Sequence, residues 1–588
     1  MANGMDNAEI ASLFEDIADM LEILGENSFK INAYRRAAEN IRSLGRYLSA
    51  MVEEGSLDSI EGVGKAISEK ITELVKTGRL GYYEELAENV PSGLLDMLEV
   101  PDLGPKRVRA IWEKLGIRDL DGLEEAARTG RLKTLDGFGA KTEAKILAGI
   151  GALRARKSSG RTPLTVAWDL SRDILEILGS IPKTRVEAGG SLRRMKETIG
   201  DLDFLCASRA PEEVLDRFCR MQNVESVLLR GETKTSVRLR TGIQADLRVV
   251  EETRWGTAIQ YFTGSQQHNV RLRERARKLG FSLSEYALKR ISTGEEILCA
   301  DEEEVYAKLG LPWIPPEMRE DRGEIEAALE GRLPPCVELK DIAGDLQCHT
   351  DESDGTCALE EMAEAAEELG LFWLLLTDHS SGLGVVRGLS PERIRDQSRR
   401  IDHWNASGHG IRLLKGIETE IMADGSLDLP GEVLGELDLV VAAVHSSLRQ
   451  DREKITRRYL KALADPNVHI LAHPVGRLIG EREGASPDWE KVLAEAVRTG
   501  TILEINANPY RLDLPDTLAS RALELGAFFA ISTDAHSTEQ LEYMHFGVSL
   551  AKRAWIPPER IVNTWDVDKL LEWAKKKPSR LERQGGKT

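Results

Sequence analysis

Asp201 and Asp203 stand one residue apart in Gly200-Asp201-Leu202-Asp203-Phe204. A strand through that run points both carboxylates to one face while Leu202 and Phe204 pack behind it. Two adjacent carboxylates repel each other and need a cation. Carboxylate oxygens suit Mg²⁺, which shares its shell with substrate phosphates. Just upstream, the Gly189-Gly190-Ser191 turn offers backbone N–H groups and a hydroxyl to a phosphate, and Arg193 and Arg194 follow. A phosphate grip beside metal-binding carboxylates points to metal-assisted phosphoryl or nucleotidyl transfer. A D-x-D pair alone also describes an exposed acidic strand end; the Gly-Ser turn and its arginines favour the chemical reading. Asp246 lies in the alternating run 243–250 and is a plausible third carboxylate for the same site. Taken singly it reads as an ion-paired strand residue.

A second constellation occupies the back half. His349, Asp354, Asp378-His379, Glu418, His445, His473, Asp534 and His536 lie where strand-like runs end. The runs are 372–377, 413–418, 439–445, 470–473, 502–506 and 528–533, with helical stretches between them. Such alternation predicts a parallel α/β barrel, whose active sites form at C-terminal strand ends. A lone histidine is usually a satisfied core or surface residue. Here nine of ten histidines lie beyond residue 340, and five of them mark strand ends. Imidazole with carboxylate suits Zn²⁺, Mn²⁺ or Fe²⁺, and this many ligands could hold up to three ions.

The elements ahead of these constellations read as helices. Ile10, Leu13, Phe14, Ile17, Leu21 and Leu24 recur at helical spacing. One pattern then appears three times, each just before a helical run: Ile60-Glu61-Gly62-Val63-Gly64-Lys65, Val100-Pro101-Asp102-Leu103-Gly104-Pro105-Lys106 and Leu135-Asp136-Gly137-Phe138-Gly139-Ala140-Lys141. Free N–H groups at a helix start form an anion site. The pattern resembles the helix-hairpin-helix element, which implies that Gly62, Gly64, Lys65, Gly104, Lys106, Gly137, Gly139 and Lys141 meet a DNA backbone without reading its sequence. The run Gly139-Ala140-Lys141-Thr142 is not a nucleotide P-loop, because the first glycine is missing at the required spacing. Lys70, in the helix after the first turn, could form a Schiff base with an abasic sugar. By itself it reads as a solvated surface lysine.

Composition bounds the rest. A chain of 588 residues exceeds the roughly 250–300 residues that one core supports. The net charge of −19 argues at first against nucleic acid. Its distribution softens this, since residues 101–160 hold 13 Lys/Arg against 8 Asp/Glu, a net of +5, and residues 341–588 hold 29 against 41, a net of −12. A basic segment in an acidic chain can still carry phosphate contacts. No apolar run approaches the roughly 18–20 residues of a membrane span. The N-terminus shows no leader pattern, and the six cysteines form no C-x-x-C pair. A cytoplasmic protein without membrane contact is expected. The runs 157–163 and 312–344 are rich in breakers and charge and read as linkers. Between them, Tyr261-Phe262-Thr263-Gly264 could support a sugar ring, and Arg271, Arg273, Arg275, Arg277 and Lys278 crowd one helix, a density that suits phosphate contacts or a solvated helix face.

With these residues in view, the chain to about residue 318 resembles a family X DNA polymerase, and residues 341–588 resemble a PHP domain. The polymerase motifs are Gly190, Ser191 and Arg194 for the triphosphate, Asp201, Asp203 and Asp246 for Mg²⁺ or Mn²⁺, and Tyr261, Phe262 and Gly264 beside the nucleotide sugar. The resemblance places Asn269 and Arg273 at nucleotide and template, and makes Lys70 the counterpart of the lyase lysine. Gln266-Gln267-His268 departs from the family pattern, which touches base stacking and fidelity. The PHP motifs are GDLQCHTDESDG, LTDHS, GIETEI, AVHSS, LAHPVGRL, LEINANP and STDAH. They imply as metal ligands Gln347, His349, Asp354, His379, Glu418, His445, His473, Asp534 and His536. Gln347 stands where the family usually has histidine, so one metal should bind less tightly.

The expected architecture is multidomain: an all-α helix-hairpin-helix region, an α+β nucleotidyltransferase palm and thumb, and an α/β barrel of (β/α)₇ type. The expected divisions are 1–85 lyase-like helices, 86–158 helix-hairpin-helix fingers region, 159–318 palm and thumb, 319–340 linker and 341–588 PHP domain. The implied function is short-gap DNA synthesis in repair by a monomer acting on gapped or primer–template DNA and dNTPs. The implied second activity is a metal-dependent 3′–5′ exonuclease, with abasic-site cleavage or 3′-end cleaning as further possibilities. Two other readings are a polymerase with a silent, structural PHP domain and a histidinol-phosphate-type phosphatase joined to a small-molecule nucleotidyltransferase. The three glycine–lysine turns argue against the last.

Overall fold

The computed structural model describes residues 7–42, 48, 51–52, 55–57, 60, 63–77, 79–100, 103–135, 137–159, 161–382, 387–480 and 482–577. They fall into two units, the first being residues 1–159 with 223–225 and 238–243, and the second the remainder.

Helices dominate the first unit. Asn7–Leu24 buries Ile10, Phe14, Ile17 and Leu21, the stripe its spacing predicted, and Phe14 meets Tyr34 of Ser28–Arg42 at 5.7 Å between rings. Three later helices start directly after the repeated glycines: Lys65–Thr77, Pro105–Leu115 and Ala140–Ser159. The apolar residues of each repeat enter one core that also holds Ile71, Leu74, Val108, Ile111 and Ile146.

In the second unit, Arg185–Ala188, Asp201–Ala207 and Gln244–Val250 are neighbours in one sheet, in that order. Arg185–Ala188 runs antiparallel to Asp201–Ala207, and Gln244–Val250 runs parallel to it. The α+β reading thus holds, with helices Leu164–Gly179, Pro211–Cys219 and Trp255–Thr263 packed on this sheet. A small antiparallel sheet, Phe281–Leu283, Leu288–Arg290 and Glu296–Ile297, follows.

Residues 319–340, expected as a linker, are packed rather than extended in solvent. Arg319 is fully buried and pairs with Glu302, and Ile325 and Ala328 join the core around Val305 and Tyr306. Charge and proline content suggested a linker because sequence shows the polar heads and not their buried partners.

The barrel that follows has seven strand positions. Gly344–Cys348, Trp373–Leu376 and Arg412–Lys415 form one parallel run, and Glu418–Glu420, Val441–Ala443, Ile470–Leu471, Ile502–Asn506 and Phe529–Ser532 form another. Arg412–Lys415 and Glu418–Glu420 are two halves of one interrupted strand, bridged to the first run by His379 pairing with Glu418. Closure comes where Cys348 pairs with Ala535 and the His349 N–H donates to the Ala535 carbonyl at 2.8 Å. Leu346, Leu375, Val441, Ile470, Ile502 and Ala530 fill a core in the barrel. No helix among the described residues is long and apolar enough to cross a membrane.

Candidate active sites

The first site is set by strand register. Asp203 lies directly opposite Asp246, and Asp201 lies one pleat away, opposite Gln244. The strand alternation therefore delivers all three carboxylates to one face of the sheet. Burial, then the neighbouring Asp201 and Asp246 charges, push the Asp203 carboxyl up to about 7. Asp246 sits lower than usual: burial opposes its charge, but hydrogen bonds from Gln244, Lys234 and Ser236 outweigh it. The Lys234 ammonium lies 3.0 Å from Asp246 Oδ2, a contact the sequence reading missed.

Glycine at 190 is a steric requirement. Its φ is +57°, and a Cβ there would stand 2.3 Å from Asp203 Oδ2. The turn can thus close over the carboxylates, with the Gly189 N–H donating to the Asp203 carbonyl at 2.7 Å. The two arginines of the motif divide. Arg193 points away from the turn and grips Glu302 with both terminal nitrogens, at 3.0 and 3.2 Å. Arg194 donates to Glu320 Oε1 at 3.0 Å and to the Thr263 carbonyl. All the residues named for the nucleotide, with Asp201 and Asp203, line one cavity of about 1100 Å³. Tyr261 and Phe262 meet edge to face at 5.2 Å. Asn269 Nδ2 donates to the Tyr261 carbonyl at 2.8 Å, and Arg273 Nε to the Asn269 carbonyl at 3.2 Å.

In the Gln266-Gln267-His268 run, His268 turns inward. It is fully buried between Glu324 at 2.6 Å and the Tyr306 hydroxyl at 2.9 Å, while Gln266 and Gln267 face the cavity. The arginine helix is partly diverted too. Arg271 pairs with Asp321 at 3.3 Å and Arg275 donates to the Leu309 carbonyl at 2.6 Å, so neither density nor charge alone made that face a phosphate surface.

The second site gathers the barrel's strand ends. Three overlapping groups have metal-binding geometry: His349, Asp354, His379 and His536; His379, Glu418 and His445; His349, Glu418 and Asp534. Glu418 is the hub, with Oε2 3.3 Å from both His349 Nε2 and His379 Nδ1, and Oε1 3.2 Å from His445 Nε2 and 3.0 Å from His473 Nε2. Asp354 Oδ2 lies 3.4 Å from His379 Nε2 and 3.5 Å from His536 Nε2. Gln347 is buried, and its Nε2 donates to Asp534 Oδ1 at 3.3 Å.

Buried polar atoms need partners, yet Gln347 Oε1, both His349 ring nitrogens, Glu418 Oε2, His473 Nδ1 and Glu504 Oε1 make no well-formed hydrogen bond, although His349 Nε2 and Glu418 Oε2 lie 3.3 Å apart. All belong to this cluster, and a bound cation is what these donors fit. His473 and Asp534 hold φ values of 25° and 55°, left-handed conformations that cost energy for non-glycine residues and collect at functional sites.

Supporting contacts set the ligands. Glu420 accepts from His445 Nδ1 at 2.8 Å, leaving Nε2 toward Glu418, and His536 Nδ1 donates to the Asp534 carbonyl at 2.8 Å, leaving Nε2 toward Asp354. Burial opposes charge on His445 and His536, but Glu418 for the first and Asp354 for the second raise both to about 9. Burial and then Arg511 push His473 down to about 4. Asp378, named among the strand-end residues, is instead saturated by donors from Thr350, Ser353 and Gln397. It fixes the 349–354 loop. The sequence reading missed Glu420, Glu504, Asn506 and Arg511. Glu420 and Asn506 could have been found, since each stands two residues along a strand from another polar residue that faces the site.

In the first unit, the three glycine repeats share one hydrogen bond. Val63, Leu103 and Phe138 donate to the carbonyls of Ile60, Val100 and Leu135 at 3.1, 3.2 and 3.2 Å. A Cβ at Gly64, Gly104, Gly137 or Gly139 would meet nothing within 4 Å, so packing does not demand glycine and the space lies open to a ligand backbone. Lys65, Lys106 and Lys141 are exposed beside these turns. Gly62 lies outside the described residues. Lys70 is half-buried, with Nζ 3.4 Å from the Ala66 carbonyl and 4.8 Å from the centre of the Tyr82 ring.

Comparison with known proteins agrees with this layout. Residues 5–80 match the helix-hairpin-helix domain, 94–152 the SAM-like helix-hairpin-helix tandem, 258–320 the DNA polymerase beta thumb and 345–508 the PHP domain. The barrel alone is similar to a probable phosphatase of Thermoanaerobacter sp. (strain X514), 28% identical over 249 residues, covering 40% of this chain and 96% of that one. It is likewise similar to the probable phosphatase YcdX of Escherichia coli O127:H6, 26% identical over 233 residues, covering 37% and 89%. The DNA polymerase/3′-5′ exonuclease PolX of Bacillus subtilis (strain 168) is 39% identical over 562 residues, covering 95% of this chain and 97% of its own length. Agreement of that extent, running through both sites described above, shows that this chain belongs to the PolX family.

Proposed function

We propose that the chain is a DNA-directed DNA polymerase that fills short gaps in repair and carries a metal-dependent 3′–5′ exonuclease in its PHP barrel. One observation carries the reading: two separate ligand clusters occur in one chain, Asp201, Asp203 and Asp246 beside the Gly189-Gly190-Ser191 turn, and the Glu418-centred cluster at the barrel's strand ends.

In the polymerase site, Asp201, Asp203 and Asp246 would hold Mg²⁺ or Mn²⁺. Such ions lower the pKa of a primer 3′-OH and neutralise phosphate charge when bound. Gly190 and Ser191 offer the triphosphate an N–H and a hydroxyl, and Arg194 adds a planar fork suited to phosphate oxygens. Tyr261 and Phe262 support the sugar, and Asn269 fixes Tyr261 through its carbonyl. Lys70 retains the lyase role on family grounds alone.

In the barrel, the cluster suits up to three ions of the Mn²⁺, Zn²⁺ or Fe²⁺ class, with Gln347, His349, Asp354, His379, Glu418, His445, His473, Asp534 and His536 as ligands. Phosphodiester hydrolysis at a 3′ end is the chemistry such a cluster supports. The glycine–lysine turns of the first unit would hold gapped DNA through backbone phosphates. Six free cysteines accord with a reducing cytoplasm, and the enzyme is taken to work as a monomer.

A gapped primer-extension and degradation assay tests this directly. Asp203→Ala should lose extension by about a thousand-fold and keep degradation, and His473→Ala should do the reverse. Degradation at the wild-type rate in His473→Ala would remove the barrel as the nuclease.

A further inference from the structure

The cavity that gathers the nucleotide residues is closed by the barrel on another side. Arg477, Pro515, Asp516, Phe546 and Arg553 line it together with Gly190, Ser191 and Arg194. A charge network crosses this wall. Arg553 NH1 donates to Glu320 Oε1 at 3.1 Å, the same oxygen that accepts from Arg194 Nε at 3.0 Å. It also donates to the Arg194 main-chain carbonyl at 2.7 Å. Asp516 holds Arg553 from behind, accepting from Nε at 3.0 Å and NH2 at 2.7 Å. Arg322 donates to the same Asp516 oxygen at 3.0 Å and so closes the network from the polymerase side.

Arg553 is only 6% exposed, so this is not a solvent-screened surface pair. One Glu320 oxygen serves two guanidinium groups. With Arg553 present, Arg194 does not spend its whole charge on Glu320 and keeps some for an incoming phosphate. Without Arg553, Glu320 would turn more of its charge onto Arg194, shared only with Lys196 at 3.8 Å from its other oxygen, and the Arg194 main-chain carbonyl would lose its anchor.

We propose that Arg553 is a positioning residue for nucleotide binding: the barrel, through Arg553, sets the phosphate-gripping end of the polymerase site. This rests on the nucleotide role proposed above for Arg194.

The test uses the full chain with gapped DNA and Mg²⁺. Arg553→Ala should raise the KM for dNTP roughly tenfold, less than truncation of a group in direct contact because Arg553 acts through Arg194, with kcat within about threefold. Exonuclease activity should be unchanged, and Arg553→Lys should fall between wild type and Arg553→Ala. Equilibrium binding of a non-hydrolysable dNTP analogue to the DNA-bound protein should weaken in parallel. Unchanged or tighter analogue binding in a variant that melts like wild type would overturn the proposal. Should Arg553→Ala not fold, Arg553→Lys and Asp516→Asn carry the same criterion. Asp203→Ala, run alongside, separates the two failures: extension surviving in that variant would sink the polymerase reading itself, and the proposal with it.

Discussion

The two sites solve the problem of holding cations in opposite ways. The polymerase site has three carboxylates on one sheet face, with Asp201 exposed and Asp203 pushed up to about 7 by burial and its neighbours. It is short of ligands, and substrate phosphates would complete the shell. The barrel site draws at least eight side chains from successive strand ends, with His349, Glu418, His473 and Asp534 almost fully buried. Its candidate donors are gathered by the fold itself. The difference teaches that a templated transferase can leave its metal site to be finished by the nucleotide, which ties metal binding to substrate choice. A hydrolase that handles varied ends gains from a permanent, preorganised cluster.

The comparison breaks first on metal retention. Protein dialysed into metal-free buffer should lose extension entirely and regain it with added Mg²⁺ or Mn²⁺, while degradation persists; equal loss of both would show the barrel site to be no more preorganised than the palm. Next in size is Glu418→Gln. Removing the hub charge among four imidazoles should cut degradation about a thousand-fold with extension kept, since several kcal/mol of ligand energy are lost.

Glu420→Gln sharpens the same point one layer out. It frees the His445 ring and should weaken metal affinity by roughly 10–100-fold, measured by chelator competition. The smallest effect concerns the frame of the polymerase site. Arg319 and Arg193 hold Glu302 at about 2 against the opposing burial. Because the folded value lies below the usual 4.5, this stability is full above about pH 4.5 and is lost as pH falls through 2. The shift is of the order of 3 kcal/mol. Denaturant unfolding of the palm and thumb should therefore weaken over that window in wild type, and Glu302→Gln should be less stable at neutral pH but flatter with pH. An unchanged slope would remove Glu302 as the group that ties the phosphate turn to the thumb.

Much of this was readable from local pattern. D-x-D alternation placed Asp201 and Asp203 on one face, strand–helix alternation announced the parallel barrel, and histidines at strand ends marked its site. Spacing also picked out the glycine turns, whose shared hydrogen bond from Val63, Leu103 and Phe138 is a local property. Other features were hidden because they depend on partners far along the chain. Asp378 looked like a ligand until Thr350, Ser353 and Gln397 were seen to use up its oxygens. Arg193 and Arg194 are neighbours in sequence, yet one serves Glu302 and the other Glu320. His268 looked like a change in the nucleotide pocket and is a core residue.

The sequence by itself determined the ligand inventory, the periodicities and the turns, because each depends on residue type and on spacing within a strand or helix. Only the tertiary structure decided that Asp246 pairs in register with Asp203, that Glu418 becomes the hub of four histidines, and that the polymerase cavity is closed by Arg553 of the barrel. Those outcomes follow from strand register, barrel closure and packing between distant segments. Long-range contacts of that kind leave no local signal, since a side chain's charge is legible in sequence while the group that neutralises it is not.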